Sequence, residues 1–157
     1  MIGFQRNITF SIGRAADRSL VVTATMVDRF HDLAVETTMD PESLAIRAIR
    51  ANFARIPTAN CLKTRERLDL LVGFPVGKGL TRKIFDVLGG GEGCGNLRML
   101  LLGSLPLAIN ARVSDGIDDV GEMLDTIHHN LRGTCVGYSE PPDRTARPAA
   151  PVLERSS

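Results

Sequence analysis

Tryptophan is absent from this chain, tyrosine occurs once, and aromatic residues make up 4% of the 157 residues. Stacking platforms for bases or sugar rings are therefore scarce. An excess of either charge is missing too. Lys and Arg number 19 against 18 Asp and Glu, a formal net charge of +1. A nucleic-acid binder needs a basic excess to neutralise phosphates, so no nucleic-acid partner is expected. Long hydrophobic runs are lacking. The longest apolar stretch, residues 99–109, is interrupted by Gly103, Ser104 and Pro106 and is too short to span a bilayer, so no membrane partner is expected. The first residues show no charged segment followed by an apolar run, and a secretory signal is not expected. Cysteine is limited to Cys61, Cys94 and Cys135, an odd number with no Cys-x-x-Cys. That excludes a disulfide scaffold and suggests free thiols in a reducing cytoplasm. With 43% hydrophobic residues, the chain has the composition of a soluble domain.

Apolar and polar residues alternate in the first third. Ile8, Phe10 and Ile12 flank Thr9 and Ser11, the period of a half-buried strand. Residues 20–27, rich in Val and Thr, read as a second strand, and residues 31–39, with Leu33, Val35, Thr37 and Met39 at period two, as a third. Residues 40–43, Asp-Pro-Glu-Ser, form a turn. The next segment is ambiguous. Ile46, Ile49, Phe53 and Ile56 lie at helical spacing, but a strand over 44–53 would follow naturally from the turn. The second half is helical in pattern: 58–72 stopping at Gly73, 80–88 stopping at Gly89, 94–113 with a kink at Pro106, and 117–132 stopping at Gly133. Pro141, Pro142, Pro148 and Pro151 then crowd the end. Residues 1–138 are expected to form a single α+β domain and 139–157 a disordered tail.

Candidate chemistry is concentrated in a few places. The run from Gly89 to Gly95 holds five of the 15 glycines and leads into a helix. Cys94 within it would lie at a helix N-terminus, where the positive end of the dipole favours a thiolate, making it a candidate nucleophile, base or metal ligand. The plainer alternative is a flexible turn with an incidental cysteine. The run does not fit G-x-G-x-x-G, and residues 73–79 fall short of a phosphate-binding loop. His31-Asp32 opens the third strand. Neighbours on a strand face opposite ways, so both reach one site only at a strand end or bulge, where they could supply a general base or two ligands. Cys61 begins a helix, and Cys135 follows a helix stop. His128 and His129 point about 100° apart on one helix and do not share a metal.

Taken together these segments resemble a bacterial family known as domain of unknown function 2889. The matching residues are His31-Asp32, the segment from Ile46 to Cys61, Leu71 to Phe74 with Gly79-Leu80-Thr81-Arg82, Leu88-Gly89-Gly90 with Gly93-Cys94-Gly95-Asn96-Leu97, and Thr134-Cys135. Two positions depart from the family pattern: Asn96 and Val136 stand where the family has histidines. The order of elements is also similar to the NifU-type iron–sulfur scaffold fold, whose aspartate and two cysteines match Asp32, Cys61 and Cys94. The resemblance favours a strand over 44–54. It implies an antiparallel sheet of about four strands packed against about four C-terminal helices.

On that basis the expected function is a small-molecule enzyme of a bacterial pathway. It would carry out an isomerisation, cyclisation or lyase step by acid/base work in an apolar pocket, without a cofactor. His31 or Asp32 would take a proton, helped by Cys94. Asn96 and the backbone near Gly93 and Gly95 would hold an oxyanion, with Cys61 also against the substrate. One alternative is a metal- or sulfur-handling protein binding zinc, iron or an iron–sulfur cluster through Asp32, Cys61, Cys94 and His31. Another is a non-catalytic interaction protein docking through its Pro-rich end. Exposed apolar helix faces would allow a homodimer.

Overall fold

The computed structural model describes residues 3–140; the Pro-rich stretch expected to be disordered lies, from residue 141 on, outside them. The described residues form two compact units, divided between Asp115 and Gly116. The first has an α+β architecture. Four strands, β1 (Arg6–Arg14), β2 (Leu20–Asp28), β3 (Asp32–Met39) and β4 (Ile46–Arg55), make an antiparallel sheet in the order β1-β2-β3-β4. After the sheet comes a short helix α1 (Arg65–Leu68) between 3-10 turns at Ala59–Thr64 and Asp69–Leu71, followed by α2 (Leu80–Leu88), α3 (Gly95–Ser104) and α4 (Leu107–Val113). At Pro106, where a kink is expected, the helical hydrogen-bond ladder is interrupted: Leu105 and Pro106 separate α3 from α4 while keeping helical backbone angles.

Alternation builds the core. Leu20, Val22, Ala24 and Met26 of β2 and Leu33, Val35 and Met39 of β3 turn to one face, where they meet Leu68, Leu71, Ile84, Leu88, Leu97, Leu100 and Leu101. The opposite face of the sheet carries mostly small and polar side chains, with Val21 and Val27 among them, as an antiparallel sheet with one solvated face allows. On β1, Phe10 reaches over Gly103 of α3, where a Cβ would collide with its ring.

Residues 46–55 form a strand, and the helical spacing of their apolar residues has a local cause. Met39 pairs with Ile46 but Thr38 pairs with Ala48, so the register shifts and Arg47 is left over. This bulge lets Ile46 and Ile49, three apart, both face the core. A second irregularity lies at the other end, between Asp32 and Leu33, which pair with Arg55 and Phe53.

The second unit contains α5 (Val120–Asn130) and a 3-10 turn at Val136–Tyr138. Asp119 caps α5 by accepting from the Glu122 N–H at 2.8 Å. His128 meets the Tyr138 ring edge-on, with centroids 5.8 Å apart. Among the described residues no helix is long and apolar enough to cross a membrane.

Candidate functional site

β1 starts, β2 ends, β3 starts and β4 ends at the same end of the sheet, so Arg6, Asp28, Asp32 and Arg55 are gathered there by topology. Asp28 closes the turn between β2 and β3. Its Oδ1 accepts from the backbone N–H groups of Phe30 and His31, each at 2.8 Å. This Asx-type turn folds the His31 ring back onto the same carboxylate. The His31 Nδ1 lies 3.1 Å from Oδ1 and 3.3 Å from Oδ2. From β1, Arg6 places Nε at 2.8 Å and Nη2 at 2.6 Å from Oδ2. The third guanidinium nitrogen, Nη1, donates to Asn96 Oδ1 at 3.2 Å, tying the first turn of α3 to the sheet. Arg55 donates to the Asp28 carbonyl at 2.7 Å.

The Asp28 side chain is fully shielded from solvent, and that of His31 is 17% exposed. Burial pushes the Asp28 carboxyl up. The Phe30 N–H, the Arg6 guanidinium and the His31 ring and N–H outweigh it and hold the group well below the ordinary carboxylate range. Asp28 is thus an anion with five N–H donors around it. With Nδ1–H assigned as donor to that anion, the His31 ring presents the lone pair of Nε2.

The partner of His31 is therefore Asp28, three residues earlier. Asp32 takes a different course: it pairs with Arg55 across β3 and β4, and its half-exposed carboxylate approaches Arg55 Nη2 at 4.0 Å. The sequence reading missed Asp28 and Arg6. An Asp at the end of a strand, three residues before a His, carries the signal of an Asx turn and could have found Asp28. No local signal marks Arg6, which comes from another strand.

Two cysteines meet at a second feature. A cleft of about 650 Å³ runs between residues 58–67 and residues 91–94, lined by Cys61 and Cys94 together with Lys63, Arg67, Glu92 and Gly93. Arg67 spans it by donating to the Val87 carbonyl at 2.7 Å and to Glu92 at 3.0 Å. Cys94 is the N-cap residue of α3, in extended conformation and with no side-chain capping bond. Its thiol, half-buried, packs against the core. The cleft differs from the apolar pocket expected. Its walls are surface turns whose large apolar neighbours, Leu68 and Leu88, are turned inward to the core.

Gly93 has a packing reason to be glycine: a Cβ there would collide with the Leu88 carbonyl. Gly95 opens α3. Cys61, Gly93 and Cys94 thus share the cleft, while His31 and Asn96 are joined through Asp28 and Arg6. Cys135 is exposed in the second unit. Among the described residues no three His, Cys, Asp or Glu side chains gather as a metal site requires, so His31, Asp32, Cys61 and Cys94 do not form one donor set.

The family described as "Protein of unknown function (DUF2889)" matches residues 4–110. The chain belongs to that family. The matched span of this DUF2889 protein takes in Arg6, Asp28, His31, Asp32, Cys61, Cys94 and Asn96, and stops before α5 and Cys135. No curated protein and no solved structure matches the chain, so the NifU-type layout is not confirmed.

Proposed function

We propose that this DUF2889 protein is a small-molecule enzyme of the bacterial cytoplasm that works by proton transfer at His31. The observation that carries this reading is the buried Asp28 carboxylate on His31 Nδ1. A carboxylate in that position fixes the tautomer, aims Nε2 outward and stabilises the imidazolium formed when Nε2 takes a proton. Arg6 keeps Asp28 in place with two bonds to one oxygen. Arg6 also acts on Asn96. Because Asn96 Oδ1 accepts from Arg6, its Nδ2 remains as a donor for an oxygen that gains charge. A base and an oxyanion donor are the parts that an isomerisation, cyclisation or lyase step needs, and no nucleotide cofactor is required.

The test is proton exchange. Small carbonyl acids are incubated with the protein in D2O, and loss of the signal from the C–H next to the carbonyl is followed by NMR. Exchange above background should fall by about 10²-fold or more in His31→Ala and fall markedly in Asp28→Asn. Equal exchange in the wild type and both variants would remove the reading.

A second reading, a metal- or sulfur-handling protein, is favoured by one observation: Cys61 and Cys94 line the same cleft. Zinc, iron or an iron–sulfur cluster would need further ligands there, since Asp32 does not line the cleft. About one metal per chain in protein purified anaerobically, lost on Cys94→Ala, would put this reading first.

A further inference from the structure

We propose that β1 is the seam of a homodimer, its free edge pairing antiparallel with the same edge of a second copy. A four-stranded sheet has two edges, and this one treats them differently. The start of β4 is covered: Ile46 N–H donates to the Phe74 carbonyl at 3.0 Å, Gly73 N–H donates to the Ile46 carbonyl at 2.8 Å, and Ala45 bridges Pro75; the rest of β4 is guarded by Arg47, Arg50 and Arg55 and by the bulge near its start. The outer edge of β1 has no backbone hydrogen bond among the described residues. Between its terminal Arg6 and Arg14 it also carries no charged residue. It has no proline, and its register runs without a shift from Arg6–Asp28 to Arg14–Leu20. Natural sheets blunt long free edges with charge, proline or bulges, because unpaired N–H and C=O groups template another strand.

The side chains also point to another layer beyond β1. Ile8, Phe10 and Ile12 sit opposite Met26, Ala24 and Val22, all three buried, so they belong to the core face. Yet Ile8 is 38% and Phe10 36% exposed. Phe10 lies against Gly103 of α3 and Ile12 packs on the core, so the helices cover β1 only in part and leave Ile8 and Phe10 partly open.

The occupant follows from what this edge accepts. It must be an extended strand with apolar residues on one face and uncharged small residues on the other. β1 itself meets both conditions, since Asn7, Thr9, Ser11 and Gly13 alternate with Ile8, Phe10 and Ile12. Its two charges, Arg6 and Arg14, are neutralised by Asp28 and Asp115 of the same chain. A two-fold axis across the seam places like face on like face and consumes both free edges at once, so the assembly closes at two copies.

Sedimentation equilibrium of the full chain should give twice the 17.0 kDa chain mass. Amides within residues 6–14 should gain hydrogen-exchange protection as concentration rises. Ile8→Lys sets two charges at the seam and should raise the dimer Kd about tenfold or more. Thr9→Lys does the same from the solvated face without touching the helices, and carries the test if Ile8→Lys perturbs folding. A monomer at about 100 μM would overturn the proposal. So would a dimer whose 6–14 amides exchange as freely as in the dilute protein, or one insensitive to Thr9→Lys.

Discussion

Two aspartates, Asp28 before β3 and Asp40 after it, use the same local device and reach different ends. Asp40 accepts from the backbone N–H groups of Glu42 and Ser43 at 3.0 and 2.8 Å, from Ser43 Oγ at 2.9 Å, and pairs with Arg47. Asp28 accepts from the N–H groups of Phe30 and His31 and pairs with Arg6. Each caps a turn, each has an arginine from a neighbouring strand, and each carboxyl is held low. For Asp40 the Ser43 N–H and hydroxyl bring it to about 2 against the pull of burial. The difference lies in the third residue and in cover. At Asp40 it is a serine at the surface. At Asp28 it is an imidazole over a carboxylate with no solvent contact, and the arginine on that carboxylate, Arg6, bonds in turn to Asn96 of α3. A turn motif becomes a candidate proton-transfer site only when its partner can hold a proton and its anion is shielded.

The comparison can be broken most severely through activity. His31→Ala should lower turnover of the substrate by about 10²–10⁴-fold, while Ser43→His, which copies the residue pattern onto the exposed turn, should add none. Gain of activity in His31→Ala/Ser43→His would show that shielding is irrelevant. Stability comes next. Asp28→Asn should lower Tm by about 10 °C and Asp40→Asn by about 4 °C or less, measured by thermal scanning at pH 7. Equal losses would mean that the two turns are energetically the same.

Acid sharpens the contrast on a smaller scale. Both carboxyls titrate lower in the folded chain than the roughly 3.9 of an unfolded aspartate. Each therefore contributes stability that is fully present above that value and is lost as pH falls through the folded one. For Asp40 the loss is spread between about pH 4 and about 2; for Asp28 it extends lower. Tm against pH should fall less steeply over pH 4 to 2 in Asp40→Asn than in the wild type. The smallest effect is Ser43→Ala, which removes the two surface bonds of one hydroxyl, donated to Asp40 and accepted from the Ala45 N–H, and should lower stability by about 0.5–1 kcal/mol in urea unfolding.

Much of the sheet was legible because alternation is a local record of burial. β1, β2 and β3 appear in the sequence nearly as they stand in the fold. β4 was obscured by its own bulge, since the extra residue at Arg47 turns a period of two into an apparent helical step between Ile46 and Ile49. The thiols were legible by type, and the fold does bring Cys61 and Cys94 to one cleft. The partner of His31 was not. Adjacency suggested Asp32, but a strand turns neighbours to opposite sides, and the turn residue Asp28 lies within reach instead.

The sequence by itself determined the α+β class, three of the strands and the helix over 80–88 with its stop at Gly89, because alternation and helical period are local patterns; the helix expected over 58–72 is instead the short α1 between 3-10 turns. Tertiary structure decided which carboxylate is shielded and what surrounds it. Arg6 reaches Asp28 across 22 residues and Asn96 across 90. Such pairings exist only once the register of β1 on β2 and the seating of α3 on the sheet are set by packing, and no local pattern encodes them.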